Sequence, residues 1–341
     1  MKQKVTMQAI ADELNLSKSL VSKALSNQPG VSEETKERVR LTAMKLGYRV
    51  NTSILSVPSS RTGNVAVLVP REDLADFEYW GSIFGAIEKE LSKHNFSMIL
   101  AGIDTSLPAD ESMPNCIADR KVDGALVLGL VPMPYILAVQ VTNIPLVLVD
   151  PMYLGLKLDH VLAENFYGGY DAARYLLSRN HRCIGFVGDT AYAATFAERY
   201  RGFIAAIQEH GNETGGAVDV CSVTDKKGGS FIPLCREQME AALEREPRPT
   251  AFVCGNDPVA FVVLQMMESR GLSCPDDISL IGFDNVQKCE WVTPRLTSID
   301  ADKDTMGSRS VQLLLRRMND PQLRPEHVLI TTQIVERNSV R

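Results

Sequence analysis

The sequence predicts an α/β protein built from a small N-terminal helical unit and a larger body of parallel β-sheets covered by helices. From residue 64 onwards, short apolar runs alternate with amphipathic stretches, and this alternation is typical of parallel sheets with helices on both faces. The first sixty residues instead show apolar side chains at three- and four-residue spacing, which indicates helices. With 341 residues, the chain is longer than one domain of ordinary size.

The charge is distributed unevenly along the chain. Residues 1–61 hold ten Lys or Arg residues against five acids, a net charge of +5. The whole chain carries −6, so the remaining 280 residues sum to −11. A basic head on an acidic body is expected when the head alone meets phosphate.

Membrane, secreted and disulfide-bonded classes are disfavoured. The longest apolar candidate, Ala125 to Val141, is interrupted by Pro132 and Pro134 and falls short of the roughly 18 residues of a membrane span. The N-terminus lacks the apolar core of a secretory signal, so we expect a cytoplasmic protein with no membrane partner. Seven scattered cysteines without a C-x-x-C pair indicate reduced core thiols.

Three short helices are predicted within the first domain, 1–47. They begin after Thr6, Ser17 and Ser32, because a hydroxyl at each position can accept a hydrogen bond from the free amides of a first helical turn. Gly47 ends the third helix. Three short helices in so few residues predict a helix-turn-helix unit.

The outward face of the second predicted helix carries hydroxyl and ammonium groups and no acid: Lys18, Ser19, Ser22, Lys23 and Ser26. These groups supply the donors that phosphate oxygens and the major-groove edge of guanine accept. An ordinary solvated helix can have the same composition, so composition alone leaves both interpretations open.

The order of residues in this region resembles the headpiece of the LacI/GalR family. The resemblance runs without a gap through V-T-M-Q-A-I-A-D-E-L-N-L-S-K-S-L-V-S-K-A-L-S-N, G-V-S-E-E-T-K-E-R-V and L-G-Y-R-V-N. It implies a sequence-specific DNA-binding transcriptional regulator, expected to be a repressor. The predicted DNA-binding residues are Thr6, Ser17, Lys18, Ser19, Ser22, Lys23, Ser26, Asn27 and Val57.

The segment 48–62, predicted as a hinge, departs from the family pattern. Family members usually follow the tyrosine with x-P-N-x-x-A-R-x-L, whose leucine wedges into the minor groove. Here Val50 replaces the proline, Val57 replaces the leucine, and Pro58 ends any helix at once. Val57 is a shorter apolar wedge than leucine.

Strands predicted in the body end in glycine or aspartate, at Asp150, Asp189 and Asp284. In open parallel sheets the ligand lies beyond the carboxyl ends of the strands, so we expect these ends to line a cleft. The sequence contains no phosphate loop after a strand, no H-E-x-x-H and no G-x-S-x-G motif. An enzyme on this body therefore ranks last, and no cofactor is predicted.

The resemblance continues through the body, in I-P-L-V-L-V-D, N-F-Y-G-G-Y-D-A-A-R-Y-L-L, C-G-N-D-P-V-A and C-P-D-D-I-S-L-I-G-F-D-N. It implies that 63–341 forms two subdomains that resemble periplasmic sugar-binding proteins and are joined by three crossovers. The first subdomain is predicted over about 63–163 plus 295–326, and the second over about 164–294 plus 327–341.

The resemblance also implies a small-molecule effector in the cleft. Arg199 and Asp284 carry this prediction, because a guanidinium and a carboxylate facing each other can hold vicinal hydroxyls. Ala193 replaces an arginine of the purine-responsive branch, which favours a sugar or sugar derivative. The alternative is that Arg199, Asp257 and Asp284 merely cap or buttress structural elements. The predicted effector-binding residues are Tyr79, Trp80, Asp150, Glu164, Thr195, Arg199, Phe231, Asn256 and Asp284.

The leading hypothesis is a homodimer whose two headpieces read a pseudo-palindromic double-stranded DNA operator. Effector binding would close the cleft and change the spacing of the headpieces. A sugar-binding protein with a non-functional headpiece is the alternative, motivated by the atypical hinge.

Overall fold

A computed structural model of the chain forms two compact units, Met1–Gly63 and Asn64–Arg341. The structure describes residues 6–25, 29–46, 48, 61–150, 152–153, 155–191, 193–223 and 236–341. Four predicted site residues lie outside the described ones, namely Ser26, Asn27, Val57 and Phe231.

The N-terminal unit contains the three predicted helices, α1 (Met7–Leu14), α2 (Lys18–Leu25) and α3 (Glu33–Leu46). One apolar side of each helix is buried in a common core. That core consists of Ile10, Ala11, Val21, Ala24, Leu25, Val39 and Ala43. Because these residues recur at helical spacing, the same pattern that predicts the helices also supplies the core.

The predicted hydroxyl caps begin the helices of this unit. The Thr6 side-chain oxygen accepts a hydrogen bond from the amide of Ala9 at 3.3 Å, and that of Ser17 accepts one from Leu20 at 3.1 Å. Such caps satisfy amides that have no partner within the helix.

Within its described residues, the body forms two six-stranded sheets. The first consists of β1 (Asn64–Pro70), β2 (Ser97–Ile103), β3 (Gly124–Leu128), β4 (Leu146–Val149), β5 (Asp159–Ala163) and β11 (His327–Ile330). Its order is β11-β5-β4-β3-β1-β2, and every pairing is parallel. The helices along this part of the chain are α4 (Phe77–Lys93), α5 (Ala109–Ser112), α6 (Asn115–Ala118) and α7 (Met133–Val141).

The second sheet consists of β6 (Cys183–Val187), β7 (Asp219–Val223), β8 (Ala251–Cys254), β9 (Ser279–Phe283), β10 (Thr297–Asp300) and β12 (Gln333–Val335). Its order is β12-β10-β9-β8-β6-β7, parallel except for β12, which runs antiparallel to β10. The remaining helices are α8 (Asn165–Ser178), α9 (Ala194–Thr214), α10 (Arg236–Glu244), α11 (Asp257–Glu268) and α12 (Lys303–Asn319).

Strand pairing corrects two of the predicted subdomain boundaries. The sequence predicts 295–326 in the first subdomain, but β10 pairs with β9 of the second sheet. It predicts 327–341 in the second subdomain, but β11 pairs with β5 of the first sheet. The chain therefore changes sheet after β5, after β10 and after β11. A strand of four residues reveals its partner only through backbone hydrogen bonds, which the sequence does not display.

Two glycines allow α8 and α9 to cross at close range. A Cβ atom on Gly169 would lie 2.0 Å from the carbonyl oxygen of Arg199, and one on Gly202 would lie 1.8 Å from that of Phe166. Real Cβ atoms do not approach oxygen so closely, so both positions require glycine. This crossing places Arg199 beside the first turn of α8. Among the described helices, none is long and apolar enough to cross a membrane.

We expect Gly202→Ala to destabilise the body, because the added methyl group would collide with the carbonyl of Phe166 and push α8 and α9 apart. Overpacking of this kind costs about 1–3 kcal/mol. Gly211→Ala in α9 is the matched control, since its Cβ would meet only the Gly216 carbonyl, at 3.7 Å. Differential scanning calorimetry should show a lower melting temperature for Gly202→Ala only. Equal melting temperatures would contradict the close crossing.

Candidate functional site

A cavity lies where the carboxyl ends of strands from both sheets meet. Asp150 follows β4 of the first sheet, and Asp284 follows β9 of the second. Seven of the nine predicted effector-binding residues line this cavity: Tyr79, Trp80, Asp150, Thr195, Arg199, Asn256 and Asp284. The other lining residues are Asp73, Asp76, Gly129, Leu130, Ala193, Phe196 and Pro258.

The Arg199 guanidinium is buried in the wall of the cavity and donates to three elements of the second subdomain. Its Nε donates to Asn165 Oδ1 at 2.8 Å, its Nη1 to the Gly255 carbonyl at 2.6 Å, and its Nη2 to Asp284 Oδ1 at 3.2 Å. Its Cζ also lies 3.6 Å from the ring centroid of Phe283. Three of the five guanidinium N–H groups are thus engaged, and two remain for a ligand.

Asp150 presents one satisfied and one unsatisfied oxygen. Tyr79 donates its hydroxyl proton to Asp150 Oδ2 at 3.3 Å, whereas the buried Oδ1 has no hydrogen-bond partner within the described structure. Burial raises the pKa of Asp150 to about 6, although the Arg199 guanidinium opposes this rise. An acceptor buried without a donor is costly, so the vacant Oδ1 favours a ligand that donates to it.

The backbone is strained at both predicted carboxylates. Asp150 has a φ of 34° and Asp284 a φ of 101°, in the region that favours glycine. Non-glycine residues held in this region cluster at ligand sites, because the surrounding structure must compensate for the strain. Their placement is therefore consistent with a binding site.

Asp73 and Asp76 line the cavity but are absent from the predicted set. Asp76 Oδ1 accepts from the amide of Tyr79 at 3.3 Å and so caps α4. Burial raises the pKa of Asp73 to about 7, and the carboxylate of Glu72 adds to the shift. Both residues closely follow β1, so the strand-end argument that selects Asp150 and Asp284 would also have found them.

Aromatic and amide groups complete the cavity. The rings of Tyr79 and Trp80 pack edge to face, with centroids 4.8 Å apart. Asn256 caps α11, because its Oδ1 accepts from the amide of Val259 at 3.0 Å. This bond fixes the amide group at the cavity wall, and Thr195 is buried nearby in the first turn of α9.

Two acids singled out by the sequence do not line the cavity. Glu164 lies at the crossover between the sheets, where its backbone amide donates to the Ile330 carbonyl at 2.8 Å. Asp257 is fully buried and accepts from the Val286 amide at 2.9 Å and the Ser298 hydroxyl at 2.7 Å. Asp257 therefore buttresses the loop after β9, as the alternative interpretation proposes, while Glu164 precedes α8 and is not among the cavity-lining residues.

A second candidate surface lies on the headpiece. Lys18, Ser19 and Lys23 are exposed on α2 and Ser22 is partly exposed, whereas the opposite side of the helix is buried in the core. Ser17 is exposed at its N-terminus, where its hydroxyl also serves as the cap. The outward face of α2 is therefore cationic and rich in hydroxyl groups, as predicted.

Comparison with known proteins establishes the family. Residues 6–51 match the lacI family of bacterial regulatory proteins, and residues 173–340 match a periplasmic binding protein-like domain. The HTH-type transcriptional repressor PurR of Escherichia coli O139:H28 is 30% identical over 339 residues, which cover 98% of this chain and 96% of the relative. The chain belongs to the LacI family. It is thus a DNA-binding transcriptional regulator, as the sequence predicts.

Solved structures agree with this membership of the LacI family. The lac repressor dimer bound to operator and the anti-inducer ONPF has a TM-score of 0.80 at 20% identity, covering 99% of both chains. A LacI family regulator from Enterococcus faecium with bound ribose has a TM-score of 0.65 at 26% identity, covering 81% of this chain and 98% of that one. These relatives are regulators rather than enzymes.

The raised pKa of Asp73 predicts a pH-dependent stability. Its pKa rises from 3.8 to about 7 through burial, so between these values the folded chain holds a proton that the unfolded chain releases. The contribution of Asp73 to the free energy of unfolding therefore falls as the pH rises through this window. We expect Asp73→Asn to melt at a higher temperature than the parent above pH 7, and the difference to vanish near pH 4.

Asp104→Asn is the matched control for this pH series. Hydrogen bonds from Ser106 lower the pKa of Asp104, which is also an acid close to a strand end of the first sheet. Its carboxylate therefore favours the folded state at neutral pH, and the asparagine variant should not gain stability there. A parallel response of the two variants would contradict the burial of Asp73.

Proposed function

We propose that this LacI-family protein is a repressor that binds a pseudo-palindromic operator as a homodimer and is controlled by a sugar or sugar derivative in the cavity of the body. The observation that carries the proposal is the group formed by Arg199, Asp284 and Asp150 beside two aromatic rings. A cavity with a few convergent polar groups and apolar walls is typical of a small-molecule site.

The chemistry of the cavity suits a ligand with several hydroxyl groups. Asp150 and Asp284 can accept from hydroxyls, and the two remaining N–H groups of Arg199 can donate to them. The ring of Trp80 supplies an apolar surface for the C–H faces of a sugar. The regulator from Enterococcus faecium, which binds ribose in its solved structure, supports this ligand class.

A ligand in this position would couple the two subdomains. Tyr79 and Asp150 reach it from the first sheet, whereas Arg199 and Asp284 reach it from the second. A molecule held by both sides binds more tightly when the subdomains approach each other, and it therefore shifts the population toward that arrangement. A domain that controls DNA binding needs such a ligand-dependent change in the arrangement of its subdomains.

Exposed apolar side chains support a homodimer. Phe77 is 72% exposed at the start of α4, and Leu100 is 42% exposed on the edge strand β2. Two copies related by a two-fold axis would present two headpieces to a palindrome, and these exposed side chains are candidates for burial between the copies. The operator-bound lac repressor dimer has the same overall fold.

The DNA-binding face is tested by salt titration of operator binding. We expect Lys18→Ala to weaken binding to DNA from upstream of its own gene by roughly tenfold, because it removes a base-contacting cation. Lys23→Ala should lower the salt slope by about one if it removes a phosphate contact. Lys45→Ala, which removes an exposed lysine of α3, is the control. Fluorescence anisotropy measures all three.

The same titration distinguishes a DNA-binding regulator from a sugar-binding protein with a non-functional headpiece. A parent protein without a salt-sensitive preference for its upstream DNA over random DNA would favour the alternative with a non-functional headpiece. Binding to a single half-site as tight as to the full palindrome would argue against the homodimer.

The effector site is tested by a thermal-shift screen of sugars, sugar phosphates and nucleobases, followed by operator anisotropy with each ligand that binds. We expect Asp284→Asn to weaken ligand binding by roughly tenfold or more, because it removes an acceptor and the charge that balances Arg199. Glu164→Gln is the control, since Glu164 does not line the cavity. A ligand that binds both variants equally would place the effector elsewhere.

A further inference from the structure

The cavity is lined by more acidic than basic side chains. Among the described lining residues, four are carboxylates, namely Asp73, Asp76, Asp150 and Asp284, and one is a cation, Arg199. The Arg199 charge is balanced by Asp284 at 3.2 Å, with both side chains more than nine-tenths buried. Three acids of the first subdomain therefore face the ligand space without a lining cation to balance them.

The Asp73 carboxylate lies at the Gly129 wall of the cavity. Asp73 Oδ2 lies only 2.4 Å from the place where a Cβ on Gly129 would stand, and the indole of Trp80 lies 3.3 Å from the same point. Gly129 thus leaves space for the Asp73 carboxylate beside the aromatic ring. Asp150 contributes its buried Oδ1, which lacks a donor. Both carboxylates favour a hydrogen-bond donor that also carries positive charge.

The geometry selects an organic cation over the other ligand classes. An anion such as a sugar phosphate would be repelled by the uncompensated carboxylates. A neutral sugar would supply donors but no positive charge, so it could not replace the protons that neutralise these acids. In the described part of the chain, no three acidic or histidine side chains are arranged to hold a metal ion. An ammonium group supplies three donors and one positive charge together.

We infer that the effector carries a protonated amino group, held by Asp73 and Asp76 next to Asp150, and is therefore an amino sugar or a similar polyhydroxylated amine. This inference rests on the proposed function, because it specifies the ligand of the same cavity. Arg199 and Asp284 bind the hydroxyl groups, while the acids of the first subdomain bind the ammonium group.

The affinity of the cavity for an amine should depend on pH. Burial raises the pKa of Asp73 to about 7 and that of Asp150 to about 6, so the empty cavity holds protons at mildly acidic pH. An ammonium ion must displace these protons, so its affinity rises as the pH increases through this range. A neutral alcohol displaces none. The charged or titratable groups that face the two acids, besides each other, are Glu72, Asp76, Tyr79, Tyr153, Arg199 and Asp284.

The test compares small probes that differ in charge. The chain has two tryptophans, so Trp291→Phe leaves Trp80 as the reporter inside the cavity. Ethanolamine, ethylene glycol and glycolate are titrated against its fluorescence, with D-glucosamine and D-glucose as a larger matched pair. We expect each amine to bind roughly tenfold more tightly than its alcohol near pH 7, where both amines are largely protonated, with the advantage lost near pH 5 and glycolate weakest.

Two variants connect the charge preference to the named acids. Asp73→Asn should remove most of the advantage of the amine over the alcohol, whereas Asp104→Asn, which removes an acid outside the cavity, should leave it intact. Equal affinities for amine and alcohol, tighter binding of the alcohol or glycolate, or no response to either amine would each overturn the inference.

Trp80 fluorescence and operator affinity, measured with the same ligands, distinguish an error in the charge preference from an error in the proposed function. If D-glucose changes both Trp80 fluorescence and operator affinity while D-glucosamine does neither, the cation preference is wrong and the regulator proposal stands. If the amines bind in the expected order but no cavity ligand changes operator affinity, the charge preference stands and the proposed control by this cavity fails.

Discussion

The buried guanidinium of Arg199 is the interaction on which the candidate site depends. It joins the first turn of α8, the end of β8 and the end of β9 through Asn165, Gly255 and Asp284. Removing one partner of a buried ion pair typically costs about 3–5 kcal/mol, because the other charge is left unbalanced. The arginine reaches these partners only because glycine permits α9 to lie directly on α8. The close packing of α8 and α9 is therefore also what places the arginine of the candidate site.

The two subdomains contribute different charged groups to the cavity. The second supplies a neutral pair, Arg199 with Asp284, whereas the first supplies carboxylates. Burial raises the pKa of Asp76 and of Asp150, and the Asp284 carboxylate across the cavity adds to both shifts, while Arg199 opposes the shift at Asp150. A ligand donor between the two walls would therefore meet acceptors on both of them.

Features that depend on the local sequence pattern, such as helices, caps and residues at strand ends, could be predicted. Features that depend on which strands pair in space could not. Asp150 and Asp284 were found because each ends a buried strand, and their backbone strain was not visible beforehand. Asp73 lies in a short 3₁₀ turn just after β1, so the same strand-end argument could have selected it, but the family pattern pointed to Tyr79 instead. Glu164 ends β5 in the same way as Asp150 ends β4, yet it does not line the cavity, and the sequence pattern does not distinguish these two strand ends.

A chain of direct contacts leads from the cavity to the opposite subdomain. Lys303 begins α12 and is buried, and its ammonium donates to the backbone carbonyls of Asp284 and Asn285. A Cβ on Gly307 of α12 would lie 2.7 Å from that of Ala86, so α12 and α4 are packed without free space between them. The first turns of α4 carry the cavity side chains and the exposed Phe77. Lys303 and Gly307 therefore connect the end of β9 to a closely packed helix pair, and that pair carries part of the face proposed for the dimer.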